Sequence, residues 1–311
     1  MKALTKAFVL TAVFTMLAGA ASAQNILIKT GPTGGVWYPV AAGLASVLQE
    51  KAGMNVTVQT GGGVSNALSV ASNEGQLGFT TSSVVKKIYE GMDGRPPAKD
   101  LRIFGILYNQ YYTLSVRADS PVKSIPDLKG RGLVTQRTGS STEQITRDVL
   151  EANGLSYADL NTMNFAGNVG DAVNQVRDGQ VDGFSALIAH PASYLLELSS
   201  SVDVRIVPLE QAVIEKLADK GYTPIKLKAG IYPWLKEDVP TVNSPVMLVT
   251  SAAVPDDVVY AMAKAFFENH DTLVNVHQVL AEFVPENAAA SPLIPIHPGA
   301  LKYYKEVGAI K

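Results

Sequence analysis

The sequence contains no cysteine. That absence removes thiolate nucleophiles, cysteine-based zinc and iron–sulfur sites and every disulfide, so the fold must rest on a buried core. Charge is also sparse, with Asp, Glu, Lys and Arg making up 17% of 311 residues. The 26 bases and 28 acids nearly cancel and no long basic block occurs, which leaves no footprint for a nucleic-acid backbone. Beyond the first 23 residues no stretch is apolar enough to span a membrane. Catalytic signatures are missing too. There is no Gly-x-Ser-x-Gly, no phosphate-binding Gly-x-x-x-x-Gly-Lys-[Ser/Thr], no His-Glu-x-x-His and no dinucleotide fingerprint after a strand. The four histidines include one pair on a single predicted helix, His270 and His277, two turns apart and too distant to share a metal. No metal, no cofactor and no enzymatic activity are expected.

What is present begins with a targeting pattern. Lys2 and Lys6 precede an uncharged run from Ala7 to Ala20, followed by Ala21-Ser22-Ala23. This is the pattern of a secretory signal peptide cleaved after Ala23. Removing 1–23 takes two lysines and no acid, leaving 288 residues with a charge of −4. An exported, periplasmic chain of two domains is expected.

The remainder repeats strand, glycine turn and helix. Asn25 to Thr30 reads as a strand, Gly31 to Gly35 as a turn, and Val40, Ala41, Leu44, Ala45, Val47 and Leu48 as one face of a helix stopping at Gly53. Asn55 to Thr60, Gly61-Gly62-Gly63, a helix from Val64 and a strand from Gln76 to Thr80 follow, and such crossovers imply parallel pairing. The same grammar returns from Gly132: a strand to Gln136, the turn Thr138 to Thr142, a helix to Ala152, a second helix from Val169 to Asp178, and a strand from Val181. Val64–Phe79 (VSNALSVASNEGQLGF) and Val169–Phe184 (VGDAVNQVRDGQVDGF) share an apolar face, Gly-Gln and Gly-Phe. Two similar lobes explain this. Tyr111 to Arg117 is expected to leave the first lobe and Val246 to Thr250 to return to it. That gives residues 24–115 with 247–311 as lobe 1 and 116–246 as lobe 2. A long helix then starts at Pro255 and ends before Pro285, with Pro292, Pro295 and Pro298 punctuating the tail. The expected fold class is α/β, a two-lobed periplasmic-binding-protein fold with hinge strands and a ligand cleft between the lobes.

The turns at Gly34 to Tyr38, Gly62 to Asn66 and Thr138 to Thr142 each stand where a strand ends and a helix begins. Free backbone N–H groups and short polar side chains there suit an anion. Open α/β sheets bind ligands at the carboxyl ends of their strands. Ser65, Asn66, Ser140, Ser141 and Thr142 are therefore expected to donate to a carboxylate, with backbone groups at Gly35, Val36, Gly139 and Ser140. Trp37, Tyr38, Tyr232 or Tyr108 would wall the cleft. Thr80, Thr81 and Ser82 should face it, as should Thr138 and Arg137. Asp182 is the one evident acid–base candidate.

These residues carry a resemblance. Thr30 to Pro39 (TGPTGGVWYP), the turn into Val64-Ser65-Asn66, Ser120-Pro121 to Ser124-Ile125-Pro126-Asp127-Leu128-Lys129-Gly130, Thr138 to Thr142, and Gly179 to Gly183 resemble the TAXI family. Its members are the extracytoplasmic receptors of tripartite ATP-independent periplasmic (TRAP) transporters. The resemblance implies a monomeric receptor that closes on a small organic anion, a dicarboxylate or glutamate-like amino acid, and delivers it to an integral membrane TRAP permease. Arg137 departs from the family pattern, which has a small residue there, and an added cation favours a second carboxylate. A receptor for an ABC importer shares this architecture, and a periplasmic enzyme on the same fold is the alternative from another class.

Overall fold

The computed structural model describes residues 24–33, 35–91, 94–290 and 293–311. The signal-peptide segment 1–23, Gly34 of the first turn and Pro292 of the tail lie outside them. The chain opens with β1 (Asn25–Thr30), α1 (Trp37–Ala52), β2 (Asn55–Thr60), α2 (Gly63–Ala71), β3 (Leu77–Thr81), α3 (Ser82–Glu90) and β4 (Leu101–Tyr108). Six apolar residues at helical spacing bury one side of α1, and Gly53 ends it in the left-handed region at φ 63°. The second run comprises β5 (Tyr111–Arg117), β6 (Gly132–Gln136), α4 (Ser141–Ala152), β7 (Thr162–Ala166), α5 (Val169–Arg177), β8 (Gly183–Ile188), α6 (Ser193–Ser201), β9 (Val204–Val207), α7 (Gln211–Asp219), β10 (Thr223–Leu227) and β11 (Val239–Asn243). Last come β12 (Val246–Ser251), α8 (Asp256–Glu268), α9 (His270–Val276), α10 (Pro285–Ala288) and α11 (Pro298–Glu306).

Two sheets result. One has the order β2-β1-β3-β12-β4; the other runs β10-β11-β5-β8-β6-β7, with β9 also paired to β5. β1 pairs in parallel with β2 and β3, and β6 with β7 and β8, so the repeat seen in the sequence is a repeated βαβαβ unit. Helices cover the sheets and each lobe closes its own core. Leu44, Phe79, Phe104, Leu248 and Phe266 sit in the first, and Leu114, Leu133, Ile145 and Leu217 in the second.

Two expectations are corrected. β5 pairs only within the second sheet, so Tyr111 to Arg117 is not the crossing. The chain passes between sheets at Asn109-Gln110 and returns at Ser244-Pro245. The amide of Asn243 joins the crossings by donating to the Asn109 side-chain oxygen at 2.6 Å, and the Asn243 oxygen accepts from the Gln110 N–H at 3.1 Å. The long helix after Pro255 is broken at Asn269, whose side chain donates back to the Ala265 carbonyl at 2.8 Å. Asparagine competes with the helix for its own backbone groups, which favours such a break.

Candidate functional site

A cavity of about 100 Å³ lies between the lobes, at the carboxyl ends of the parallel strands. Four helix beginnings converge on it: Gly35 to Trp37 before α1, Gly61 to Gly63 before α2, Ser140 to Thr142 at α4, and Gly167 to Val169 at α5. The first-turn amides of a helix have no intrahelical acceptor and carry its positive end. Arg137 adds the one charged side chain among the described lining residues, which contain no Asp, Glu or His. Trp37, Tyr108, Val36, Leu187 and Ile188 supply apolar walls, with Gln110 and Gln136 as neutral polar groups. Burial holds the Tyr108 phenol far above its usual range, so it stays protonated. Its hydroxyl lies near the Trp37 indole without a well-formed hydrogen bond.

All three expected turns thus meet in one cavity, through Gly35, Val36, Trp37, Gly62, Gly63, Ser140, Ser141 and Thr142, with Arg137 beside the third. Their roles differ. Ser140 Oγ accepts from the Glu143 N–H at 3.0 Å and so caps α4. Thr142 Oγ1 reaches the Leu187 carbonyl only at 3.5 Å. Ser141 Oγ is buried and has no hydrogen-bond partner. A buried hydroxyl without a partner is costly unless something else engages it.

Other expected donors turn away from the cavity. Ser65 Oγ accepts from the Gly62 N–H at 3.0 Å and is consumed in the start of α2. The Asn66 amide donates to the carbonyls of Thr30 and Phe79 at 3.1 and 2.8 Å, tying β1 to β3. Thr80 and Thr81 are fully buried beside β12, paired with Met247 and Val246. Ser82 lies 3.1 Å from the Ser244 hydroxyl in the return crossing. β12 enters alongside β3, so hinge residues cover that strand end. Tyr38 and the exposed Thr138 do not line the cavity, while Gly139 presents its carbonyl to the Val64 N–H at 3.3 Å. The Gly35 and Ser140 N–H groups donate to Pro32 and Arg137 carbonyls and are not free for a ligand. Asp182 sits at the amino end of β8, accepting from the Gly132 N–H at 2.9 Å. It is a turn residue remote from the strands' carboxyl ends.

The beginning of α5 was missed. The repeat held the signal: aligning Val64 with Val169 places Gly61-Gly62-Gly63 on Ala166-Gly167-Asn168, and both turns line the cavity. Asn168 caps α5 by accepting from the Asp171 N–H at 2.9 Å.

A model of the NMT1-like family matches residues 28–308. The chain belongs to the NMT1-like family. This NMT1-like chain also shares its fold with solved structures at low identity. A Xanthomonas citri protein bound to ATP is 10% identical, with a TM-score of 0.58 over 92% of this chain and 96% of that one. MatC from Rhodopseudomonas palustris with bound malate is 16% identical, with a TM-score of 0.56 over 91% and 96%. A periplasmic transporter is 17% identical, with a TM-score of 0.52 over 93% and 94%. The NMT1-like chain therefore has the two-lobed α/β fold of periplasmic binding proteins. Among its described residues no helix is long and apolar enough to cross a membrane.

Tyr232 of this NMT1-like chain is not among the residues lining the cavity. Fully buried, its hydroxyl accepts from the Ala192 N–H and shares a hydrogen bond with His190 Nδ1, both at 2.6 Å. Burial pulls His190 down from 6.5 to about 4. A histidine kept neutral in the fold but protonated when unfolded loses stability as pH falls from 6.5 toward the folded value, here by up to about 3 kcal/mol. We expect the thermal midpoint of the wild type to fall more steeply between pH 6.5 and 4.5 than that of His190→Gln. Parallel melting curves for the two proteins would refute the assignment.

Proposed function

We propose that the protein is an extracytoplasmic solute receptor that closes on a small organic anion bearing two carboxylates, a dicarboxylate or a glutamate-like amino acid, and hands it to a TRAP-type membrane permease. The observation that carries this reading is the convergence of four helix amino ends and Arg137 on a cavity with no acid among its described lining residues. Such a site favours carboxylates by dipole, hydrogen bond and charge together. Its volume of about 100 Å³ has room for roughly 7–10 water-sized groups. Four- and five-carbon dicarboxylates and glutamate are of this size. MatC, of similar fold, carries malate, which is consistent with that class. A general acid or base has no candidate in the lining, which supports binding without turnover. The choice of TRAP over an ABC importer rests on the motifs at 30–39 and 120–130, and export to the periplasm rests on the pattern at 1–23. Hinge motion at Asn109-Gln110 and Ser244-Pro245 would open and close the lobes.

A thermal-shift panel tests the ligand class, because a ligand that binds only the native state must raise the midpoint. Succinate, L-malate or L-glutamate is expected to raise it, and neutral sugars are not. Ser141→Ala is expected to weaken the active ligand by about ten- to a hundredfold, the worth of one hydrogen bond to a charged group. It should leave the ligand-free midpoint unchanged or higher, since the buried hydroxyl has no protein partner. A loss of stability with affinity intact would make Ser141 a structural residue.

A further inference from the structure

The lobes meet along a seam that has its own stereochemical requirement. On one side stands Gly61 to Val64 of the first lobe; on the other, Arg137 to Ser141 of the second. The Val64 N–H donates to the Gly139 carbonyl at 3.3 Å, and Arg137 Nη2 donates to the Gly61 carbonyl. Between these two bonds lies Gly62. Its backbone, at φ −146° and ψ 161°, is ordinary extended chain that any residue adopts. A Cβ at Gly62 would nevertheless stand 2.6 Å from the Gly139 carbonyl oxygen and 3.4 Å from Ser140 Cα. Those atoms belong to the backbone of the opposite lobe and cannot rotate away. Gly139 is the contrasting case, a glycine with φ 82° and open space where its side chain would be. Its requirement is conformational and belongs to its own lobe. The requirement at Gly62 exists only while the lobes are together.

We propose that Gly62 is the residue that sets how far the lobes can close, and that the Gly61–Val64 seam holds the closed form through protein contacts alone. The proposal rests on the reading of the protein as a closing receptor and adds what limits the closure. An ordinary contact of 3.4 Å in place of 2.6 Å requires the lobes to part by about 0.8 Å at this point. The Val64 to Gly139 bond would then lengthen from 3.3 Å to about 4 Å, outside hydrogen-bonding range. Gly63 adds to the constraint more softly, because a Cβ there meets the Ser141 side chain, which can turn. The seam also forms one wall of the cavity, so a lobe held back at Gly62 leaves the ligand's groups short of their partners and open to water.

The lack of cysteine makes the test direct, since two introduced cysteines are the only labelling sites. Nitroxides at exposed Ser72 and Asn174 report the distance between the lobes. The comparison is between wild type, Gly62→Ala and Gly62→Ser, all without added ligand. Serine is a favoured helix cap, so Gly62→Ser adds the Cβ while preserving the start of α2. Cooperative melting confirms that each protein is folded. The wild type is expected to populate a short distance that falls at least tenfold in both variants. An unchanged short-distance population in Gly62→Ser, or none in the ligand-free wild type, would overturn the proposal. Addition of succinate, L-malate and L-glutamate to the wild type is a separate arm. No shift in midpoint or distance with any of the three would sink the dicarboxylate-or-glutamate reading, with the seam still judged on the ligand-free proteins.

Discussion

Arg137→Gln is expected to weaken dicarboxylate binding by roughly a hundredfold. Arg137 is the only charged side chain among the described residues lining the cavity, and one guanidinium nitrogen already donates across the seam to the Gly61 carbonyl. The remaining N–H groups of its planar fork are available to a carboxylate. Losing its charge-assisted bond to the carboxylate costs about 1.5–3 kcal/mol. That loss is a factor of roughly ten to a hundred and fifty. Arg137→Lys should recover only part of it, because a point charge cannot reproduce the fork. Calorimetric titration with L-malate at two salt concentrations is the measurement. The wild type should lose affinity as salt rises, and Arg137→Gln should lose less. Equal affinities for wild type and Arg137→Gln would remove this cation from the site.

The largest effect on stability is expected at Asp148. Its carboxylate, 2% exposed, receives Lys87 Nζ from α3 of the other lobe at 2.5 and 2.6 Å, Lys220 Nζ at 3.0 Å and the Tyr222 hydroxyl at 2.5 Å. Burial by itself would raise the carboxyl, but Lys87, Tyr222 and Lys220 together hold it below its usual value. Lys87 is lowered as well, because burial takes more from it than the carboxylate returns. The two shifts disagree about what the pair is worth. Asp148 is the better guide, since it is the more buried partner and collects every donor. Removing one member of a buried pair costs about 3–5 kcal/mol because the other charges are left unanswered. Asp148→Asn should therefore lower the thermal midpoint by about 6–12 °C at pH 7. The sign with pH follows from the depressed value. Stability from Asp148 is present above the unfolded value near 4 and is lost as pH falls through the folded one. The deficit of Asp148→Asn should accordingly shrink on approaching pH 3. A midpoint within 2 °C of wild type at pH 7 would show that the cluster contributes little.

Neither the Asp148 cluster nor the full cavity could be read along the chain. Lys87, Asp148 and Lys220 are far apart in sequence and follow no shared spacing. Their meeting depends on which face of α3 one lobe turns toward α4 of the other. Ser65, Asn66 and Ser140 were read correctly as polar residues at helix beginnings. Whether such a group serves a ligand or the backbone is decided by a turn of about one bond; the helix beginnings claimed Ser65 and Ser140, and the carbonyls of β1 and β3 claimed Asn66. Ser141 was left without a partner by the same geometry.

By itself the sequence determined what depends on neighbours along the chain. Periodic apolar residues laid out the strands and helices, glycines and serines marked their ends, and the internal repeat announced two βαβαβ units. It also excluded thiol and disulfide chemistry, because folding cannot supply a cysteine that the chain lacks. Tertiary structure decided everything that depends on distance across the cleft. It moved the crossing to Asn109-Gln110 by pairing β5 wholly within the second sheet, and it brought the α5 turn into the same cavity as Gly61 to Gly63. It also made Gly62 a contact rather than a bend, since φ at that residue is ordinary and only the approach of Gly139 from the other lobe forbids a side chain.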